Sequence, residues 1–543
     1  MKFDGITEMN CDVLIIGGGG AGLRAAIEAR ASGADVLLVS KAKVGYANNT
    51  YIAKAIIAVS GWGDQRDGGR AHLEDTVKGG RFLNDPELVS AMVEAAKTEI
   101  SFLEKCGVVF AKKEGRFEIE QIAGHRFPRQ IRGQHRTGSD LILPLRQYAE
   151  KIGVRFVDRV FITRLFSSGN RVAAASGVSH DGRFLVFTAG SVILTTGGFG
   201  QVYLHTNNAA GITGDGQALA LHLGLPLKDM EFVQFYPTAA GRFGNRLILS
   251  EVLVMAEGAI LRNRAGEDIA IKHGLNDPMQ LTRDRLAQAI MRELLAGRGV
   301  DGGIIMDLSP IAEERLAPLA TLLPSAWHPD QKTLVVGPTT HFCMGGIVID
   351  KNAETPLAGL FAAGETTAGV HGANRLGGNA LCEIFTFGRI AGKRAAAGAK
   401  EMGPVDPPGE MIDHEKARLQ LRFGGNGENP KVLCRSLKEI MWLKAGILRD
   451  PKGLTEALKK ISELRSGVVA ASVGKISDLV RCLELENMLL LSEVVCQAAL
   501  LRDESRGSHY RTDFPEEEND RWLKNIVVKK GETGLTYSES RLS

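Results

Sequence analysis

Cysteine pairs at metal or redox spacing are missing from this chain. Its seven cysteines, Cys11, Cys106, Cys343, Cys382, Cys434, Cys482 and Cys496, are odd in number, scattered and without a C-x-x-C. A disulfide framework, an internal iron–sulfur cluster and a zinc site are therefore not expected, and the simplest reading is buried thiols. No apolar run is long enough to span a bilayer. The first residues, MKFDGITEMNCDVLIIGGGG, carry acids and run straight into a strand, so no signal peptide is expected. Charge of one sign is also lacking. A net charge of +3 across 543 residues gives no reason to expect nucleic acid or an acidic surface partner. Internal repeats and low-complexity tracts are absent.

What is present is glycine, 64 residues of it, in a chain too long for a single core. Asp12–Ile16 reads as a buried strand, Gly22–Ala31 as a helix with small inward residues, and Ala34–Ser40 as a second strand. That order begins a doubly wound α/β fold. Arg155–Gly190 alternates apolar runs with turn signals at Gly169-Asn170 and Asp181-Gly182, which predicts hairpins. Ser191–Thr196 reads as a further buried strand. From about Gly241 to Pro338 the chain is more charged and more helical, as an inserted domain would be. Cofactor-type sequence returns afterwards, so the first domain is discontinuous. Met402–Asp413 reads as a Pro/Gly-rich linker, Glu415–Leu501 as helical by its three- and four-residue periodicity, and Glu516–Ser543 as a polar, irregular tail. The expected division is 1–240 and 341–405 for the cofactor domain, 241–340 for the insertion, 410–515 for the helical domain and 516–543 for the tail.

Gly17, Gly19 and Gly22 satisfy G-x-G-x-x-G between that first strand and helix. The first allows the turn, the second lets backbone approach a pyrophosphate, and the third lets the helix pack on the sheet. The helix N-terminus then faces phosphate with its partial positive charge. The second strand lacks the usual ribose-binding acid and ends instead in Ser40-Lys41. Thr213-Gly214-Asp215-Gly216 and Gly364-Glu365 each offer a carboxylate on a flexible turn, suited to a cofactor hydroxyl. Gly359–Ile384 adds a single arginine, Arg375, set among Gly372, Gly377 and Gly378. A guanidinium held in such a turn is a rigid, permanently charged fork that fits a carboxylate.

The stretches IIGGGGAGLRAA, TTGGFGQVY, TGDG, MEFVQFYPT, PTTHFCMGGI, HGANRLGGNAL and ESRGSHYRTDFP resemble the flavoprotein subunit of the fumarate reductase/succinate dehydrogenase family, which also includes L-aspartate oxidase and the adenylylsulfate reductase α subunit. The resemblance runs from Cys11 to about Lys524. It implies an FAD-binding Rossmann-like domain with an inserted α+β capping domain and a C-terminal helical domain. The second strand of that family also ends in Ser/Thr-Lys. For the cofactor the resemblance implies Gly17, Gly19, Gly20, Ala21, Gly22, Ser40, Lys41, Asn49, Thr50, Gly197, Gly198, Asp215, Gly364, Glu365, Asn379, Ala380 and Leu381. Arg283, in L-T-R-D-R, matches the catalytic arginine, with Arg285 adjacent and also eligible. His341 and Arg375 match the substrate-carboxylate ligands, and Glu251 the acid that passes protons toward the arginine. The implied reaction is hydride exchange at one substrate carbon and proton exchange at its neighbour. No resident metal is implied, and electrons arriving through iron–sulfur clusters would come from a partner subunit. The implied location is cytoplasmic, peripheral to a membrane only through partners.

Three departures from the family pattern bear on function. Asn48-Asn49-Thr50 stands where respiratory members carry the Ser-His-Thr of covalent attachment. Asparagine cannot make that bond, so FAD is expected to be non-covalent. Tyr236, in Gln234-Phe235-Tyr236-Pro237-Thr238, replaces a carboxylate-binding histidine, and a phenol offers only a neutral hydrogen bond. Ser250–Gly258 lacks the second relay arginine, is one residue longer, and is lined by the four apolar side chains of Val252–Met255, which read either as core or as the wall of a more apolar pocket. The expected activity is enoate-type reduction, or its reverse, of a carboxylate substrate that need not be fumarate. The alternatives are an L-aspartate-oxidase-like enzyme and an electron-transfer flavoprotein within a larger redox complex.

Overall fold

In the computed structural model the described residues are 3, 5–122, 124–241, 247–249, 252–255, 257–275, 281–319 and 330–541. The largest sheet places Thr7–Ile16 between Val36–Ser40 and Phe184–Leu194, both parallel to it. Arg155–Asp158 extends one side, in parallel with Val36–Ser40. On the other side Phe184–Leu194 pairs with Leu360–Ala362 in parallel and with the antiparallel strands Arg171–Ser179 and then Val160–Ser168. The expected hairpins are there, turning at Gly169 and Gly182, both at positive φ. The expected strand at Ser191–Thr196 is not separate: it is the end of Phe184–Leu194, which runs through Gly190 unbroken. A Cβ on Gly190 would lie 2.9 Å from the Ala399 side chain, so this glycine marks close helix packing and no turn.

Two helices lie side by side against this sheet, Gly20–Ala31 and Asn379–Met402. Their backbones touch through glycine: a Cβ on Gly388 would meet the Ala21 carbonyl at 2.7 Å, and one on Gly392 the Ala25 carbonyl at 2.3 Å. Both therefore begin at the same end of the sheet, where the strands also end.

Val233–Ala240 and Thr333–Cys343 carry the chain out to the cap and back. They belong to a five-stranded sheet with Leu247–Ile248, Ile304–Asp307 and Ile260–Arg262, so the cap sheet reaches past both expected boundaries. Its separate apolar core includes Leu253, Leu261, Ile269, Leu286, Ile290 and Met306. The linker is shorter than expected, because Gly409–Gln420 is already helical. Pro430–Lys444, Pro451–Ala470 and Ile476–Leu501 complete the helical part. The irregular tail is corrected outright. Lys524–Gly531 and Gly534–Arg541 form a hairpin whose first strand pairs with Leu227–Lys228. Ile526 and Val528 point inward along it while Gly534, at φ 127°, follows the two-residue turn. The polar composition hid this alternation. Five of the seven cysteines are buried, and Cys11 and Cys434 are partly exposed.

Candidate active site

Gly17 follows the first strand at φ 121°, and a Cβ there would lie 2.3 Å from the Thr195 carbonyl oxygen. A Cβ on Gly22 would come within 1.9 Å of the Gly17 oxygen. Gly19 is different: nothing comes closer than 3.8 Å to its absent Cβ, so the backbone there is open to a ligand. It caps helix Gly20–Ala31 with no side-chain hydrogen bond. Gly378, at φ 83°, starts helix Asn379–Met402 in the same way. Two helix N-termini thus open toward one end of the sheet with no cap from their own glycine N-cap residues, a setting that favours an anionic group. Thr50 Oγ1 accepts from Gly20 N at 3.1 Å. Ala380 and Leu381 lie in the first turn of the second helix. The Asn379 side chain turns away, donating to Thr76 Oγ1 at 2.9 Å and meeting His72 Nε2 at 2.8 Å.

The expected cofactor carboxylates are both held in place. Asp215 receives Lys41 Nζ at 2.6 Å, Thr213 Oγ1 at 2.9 Å and Asn487 Nδ2 at 3.0 Å, while Lys41 also reaches Glu484 at 2.9 Å. Ser40 turns its hydroxyl toward the Ala42 amide at 3.4 Å. Glu365 is buried and accepts from Cys343 N at 3.1 Å and from Asn49 Nδ2 at 3.0 Å. Gly198 leaves room for it: a Cβ there would stand 2.5 Å from Glu365 Oε1. Gly197, at positive φ, accepts from Gln217 through its carbonyl. Gly364, also at positive φ, lies against Ala21. Asn49 also donates to Asn208 Oδ1 at 3.1 Å and accepts from Ala209 N at 3.0 Å. The glycine turn, the two uncapped helix starts and these carboxylates fit the groups of FAD.

Burial pushes the Glu365 carboxyl up to about 7, against the pull of its two hydrogen-bond donors. Below the ordinary value of 4.5 it is protonated whether the chain is folded or not. Between there and about 7 only the unfolded chain loses the proton, so folding stability falls as pH rises. The loss amounts to about 3 kcal/mol. His72, His125 and His222, held down to about 4 by burial, act in the opposite direction over the same range, so the Glu365 contribution is read as a difference: Glu365→Gln apoprotein should gain stability relative to wild type as pH rises from 4.5 to about 7. A difference between the two melts that does not change with pH would overturn this.

Four of the five expected catalytic residues converge across the strands Val233–Ala240 and Thr333–Cys343. Arg283 opens the cap helix Arg283–Leu295, and its guanidinium carbon stands 5.0 Å from the centre of the Tyr236 ring. The same ring meets His341 edge-on at 5.5 Å. Arg375 donates to Gln234 Oε1 at 3.0 Å and lies 4.9 Å over Phe342. Gln234 returns a hydrogen bond to the Arg375 carbonyl at 2.9 Å and so fixes the turn that carries it. Asn207 orients His341 through Nδ1 at 3.1 Å. Burial, then Arg375, Arg283 and Lys54, hold His341 well below its ordinary pKa, so it is neutral.

Gln234, Asn207 and Lys54 are site residues that sequence reasoning did not single out. Gln234 was within reach, two residues from Tyr236 in the same motif; nothing in the sequence marked the others. Glu251 lies outside the described residues. Leu253 is buried in the cap core and Val254 packs against it, so for these two the plain core reading holds and the apolar-wall reading does not. Arg285 is exposed, whereas Arg283 is partly buried.

The sequence matches the FAD binding domain family over residues 12–381 and the fumarate reductase flavoprotein C-terminal family over residues 434–543. The chain belongs to the fumarate reductase/succinate dehydrogenase flavoprotein family. Its relatives include one chain of the fumarate reductase (CoM/CoB) of Methanothermobacter marburgensis, 38% identical with 96% of this chain and 97% of that one covered. An uncharacterized FAD-dependent oxidoreductase of Methanocaldococcus jannaschii is 37% identical, with 96% of each chain covered. A mutant E. coli quinol fumarate reductase flavoprotein superposes with a TM-score of 0.90 at 30% identity, over 99% of this chain and 97% of that one. The chain is thus an FAD-dependent oxidoreductase of the family, with the expected fold class.

Proposed function

We propose that this enzyme reduces a carbon–carbon double bond conjugated to a carboxylate, with fumarate the first substrate to test. The supporting observation is the convergence of Arg283, Tyr236, His341 and Arg375 on one strand pair. FAD, when bound, supplies hydride exchange at its N5. The chain's own groups do the rest. Arg375 and neutral His341 bind the carboxylate, one as a charged fork and one by a hydrogen bond. Tyr236 gives the far end of the substrate a neutral donor. Arg283 delivers a proton to the neighbouring carbon; with a pKa above 12 it can do so only as a strongly basic centre develops. Glu251 is assigned to reprotonate it. FAD is held non-covalently, since Asn49 occupies the attachment position. The division into cofactor, cap, helical and tail segments follows the boundaries given above, with the cap sheet widened to 233–343. Electrons come through an iron–sulfur partner, as the multi-chain enzymes among the relatives suggest, and the complex is cytoplasmic and peripheral to the membrane through that partner. Among the described residues no helix is long and apolar enough to cross a membrane.

The second reading is a substrate with one anionic end and a less polar remainder, favoured by Tyr236 in place of a histidine. Steady-state assays with reduced viologen as donor separate the two. Fumarate turning over well with a low KM supports the first reading. A monoanionic enoate preferred over fumarate supports the second, and neither turning over sinks both. In the same preparations denaturation should release all the flavin; flavin left on the polypeptide would contradict non-covalent binding.

A further inference from the structure

The segment 502–512 is made of groups that are costly to bury. Arg502, Glu504, Arg506 and Glu231 are fully buried. Arg502 donates to Glu231 at 2.7 Å and to Glu504 at 2.9 Å, and Arg506 donates to Glu504 at 2.7 Å. Arg449 donates to the Glu231 carbonyl at 2.7 Å and meets His509 Nδ1 at the same distance. Buried ion pairs of this kind are weak evidence for stability, because desolvation offsets their attraction. What many directed hydrogen bonds do provide is a fixed shape.

That fixed segment runs alongside the cap helix. At the near end, Ser508 lines a small cavity together with Arg283, Asp284, Gln288 and Asn374. At the far end, the Tyr510 hydroxyl accepts from Arg292 Nη2 at 2.9 Å, and the Arg292 guanidinium lies 5.3 Å from the Tyr510 ring centre. The Tyr510 backbone is itself tied down, its carbonyl accepting from Arg449 N at 3.2 Å. Arg283 and Arg292 stand near opposite ends of one 13-residue helix, about 13 Å apart along its axis. The helix is a short rigid lever, clamped at one end and carrying the reacting guanidinium at the other.

We propose that Tyr510 and Arg292 are positioning residues for Arg283: their contact sets the angle of the cap helix, and with it the place of the Arg283 guanidinium beside Tyr236. This rests on the catalytic role given to Arg283 above. Neither residue touches substrate. A tilt that shifts Arg283 by 1 Å is enough to slow proton delivery by up to about 100-fold.

The test uses the FAD-loaded full chain. Tyr510→Leu, Arg292→Leu and the conservative Tyr510→Phe are compared with Arg283→Gln in fumarate reduction by reduced viologen, with flavin content and amide exchange of residues 283–295 measured alongside. Both leucine variants should lose about tenfold in kcat with KM within about twofold. Flavin content should stay full, and the helix amides should exchange faster. Tyr510→Phe keeps the ring face and should recover part of the loss, and the double leucine variant should be no worse than either single. Unchanged kcat and exchange in the leucine variants would overturn the proposal, as would a loss that follows flavin content. Should Tyr510→Leu not fold, Arg292→Leu, which removes the same contact from the helix side, decides alone. If Arg283→Gln keeps full turnover, or the wild type does not reduce fumarate, the functional reading has failed; the exchange result then still decides whether the contact holds the helix.

Discussion

Arg283→Gln should lower kcat by about 10³- to 10⁴-fold while leaving flavin content unchanged, the upper part of the range expected when a positioned proton donor is removed. Glutamine keeps some reach and two donors but has no proton to give to a carbanion. Arg283→Lys keeps the charge but replaces a planar fork with a flexible point donor, so a loss of about 10²-fold is expected, between wild type and glutamine. The matched control is Arg285→Gln on the same helix, exposed and expected to be silent. Full turnover in Arg283→Gln would remove the proton-donor role, and an equal loss in Arg285→Gln would point to helix damage.

Gly22→Ala should give a chain that fails to hold FAD, with affinity down by at least about 100-fold, the equivalent of about 3 kcal/mol of overpacking. The new methyl would sit 1.9 Å from the Gly17 carbonyl oxygen. That oxygen cannot step aside easily, because Gly17 is itself fixed at φ 121° against Thr195. The helix must therefore withdraw, taking its N-terminal amides from the place where a phosphate would lie. Gly68→Ala is the control: nothing lies within 4 Å of its Cβ position. Titration of both apoproteins with FAD measures the difference. Normal affinity in Gly22→Ala would mean that the turn is softer than its contacts indicate.

How much of this was legible beforehand depended on how local each feature is. Gly17, Gly19 and Gly22 were readable because a turn between strand and helix is decided within six residues. Asn49 was readable as a chemical incapacity, which needs no structure. Lys41 shows the limit: its partners Asp215 and Glu484 lie 174 and 443 positions away, and no spacing rule pairs them. Lys54 was invisible for the same reason. Its influence on His341 exists only because separate elements of the chain fold together. The tail hairpin was hidden differently: one face of its strands is water-exposed, so composition alone made it look structureless.

The Lys41 junction also sets an order of events during synthesis. The N-terminal cofactor turn lies in the first two dozen residues, yet Lys41 and Asp215 meet Glu484 and Asn487, and Leu491 presses on the Gly214 turn. A nascent chain must therefore wait on the order of half a minute or longer between making the first part of the cradle and closing it. Ribosome-stalled chains ending before residue 470 should capture no FAD, and chains released at full length should. Capture by the shorter chains would show that the last long helix is no part of the latch. If only the full-length chains capture FAD, cofactor loading reports that the far end of the polypeptide has arrived and docked.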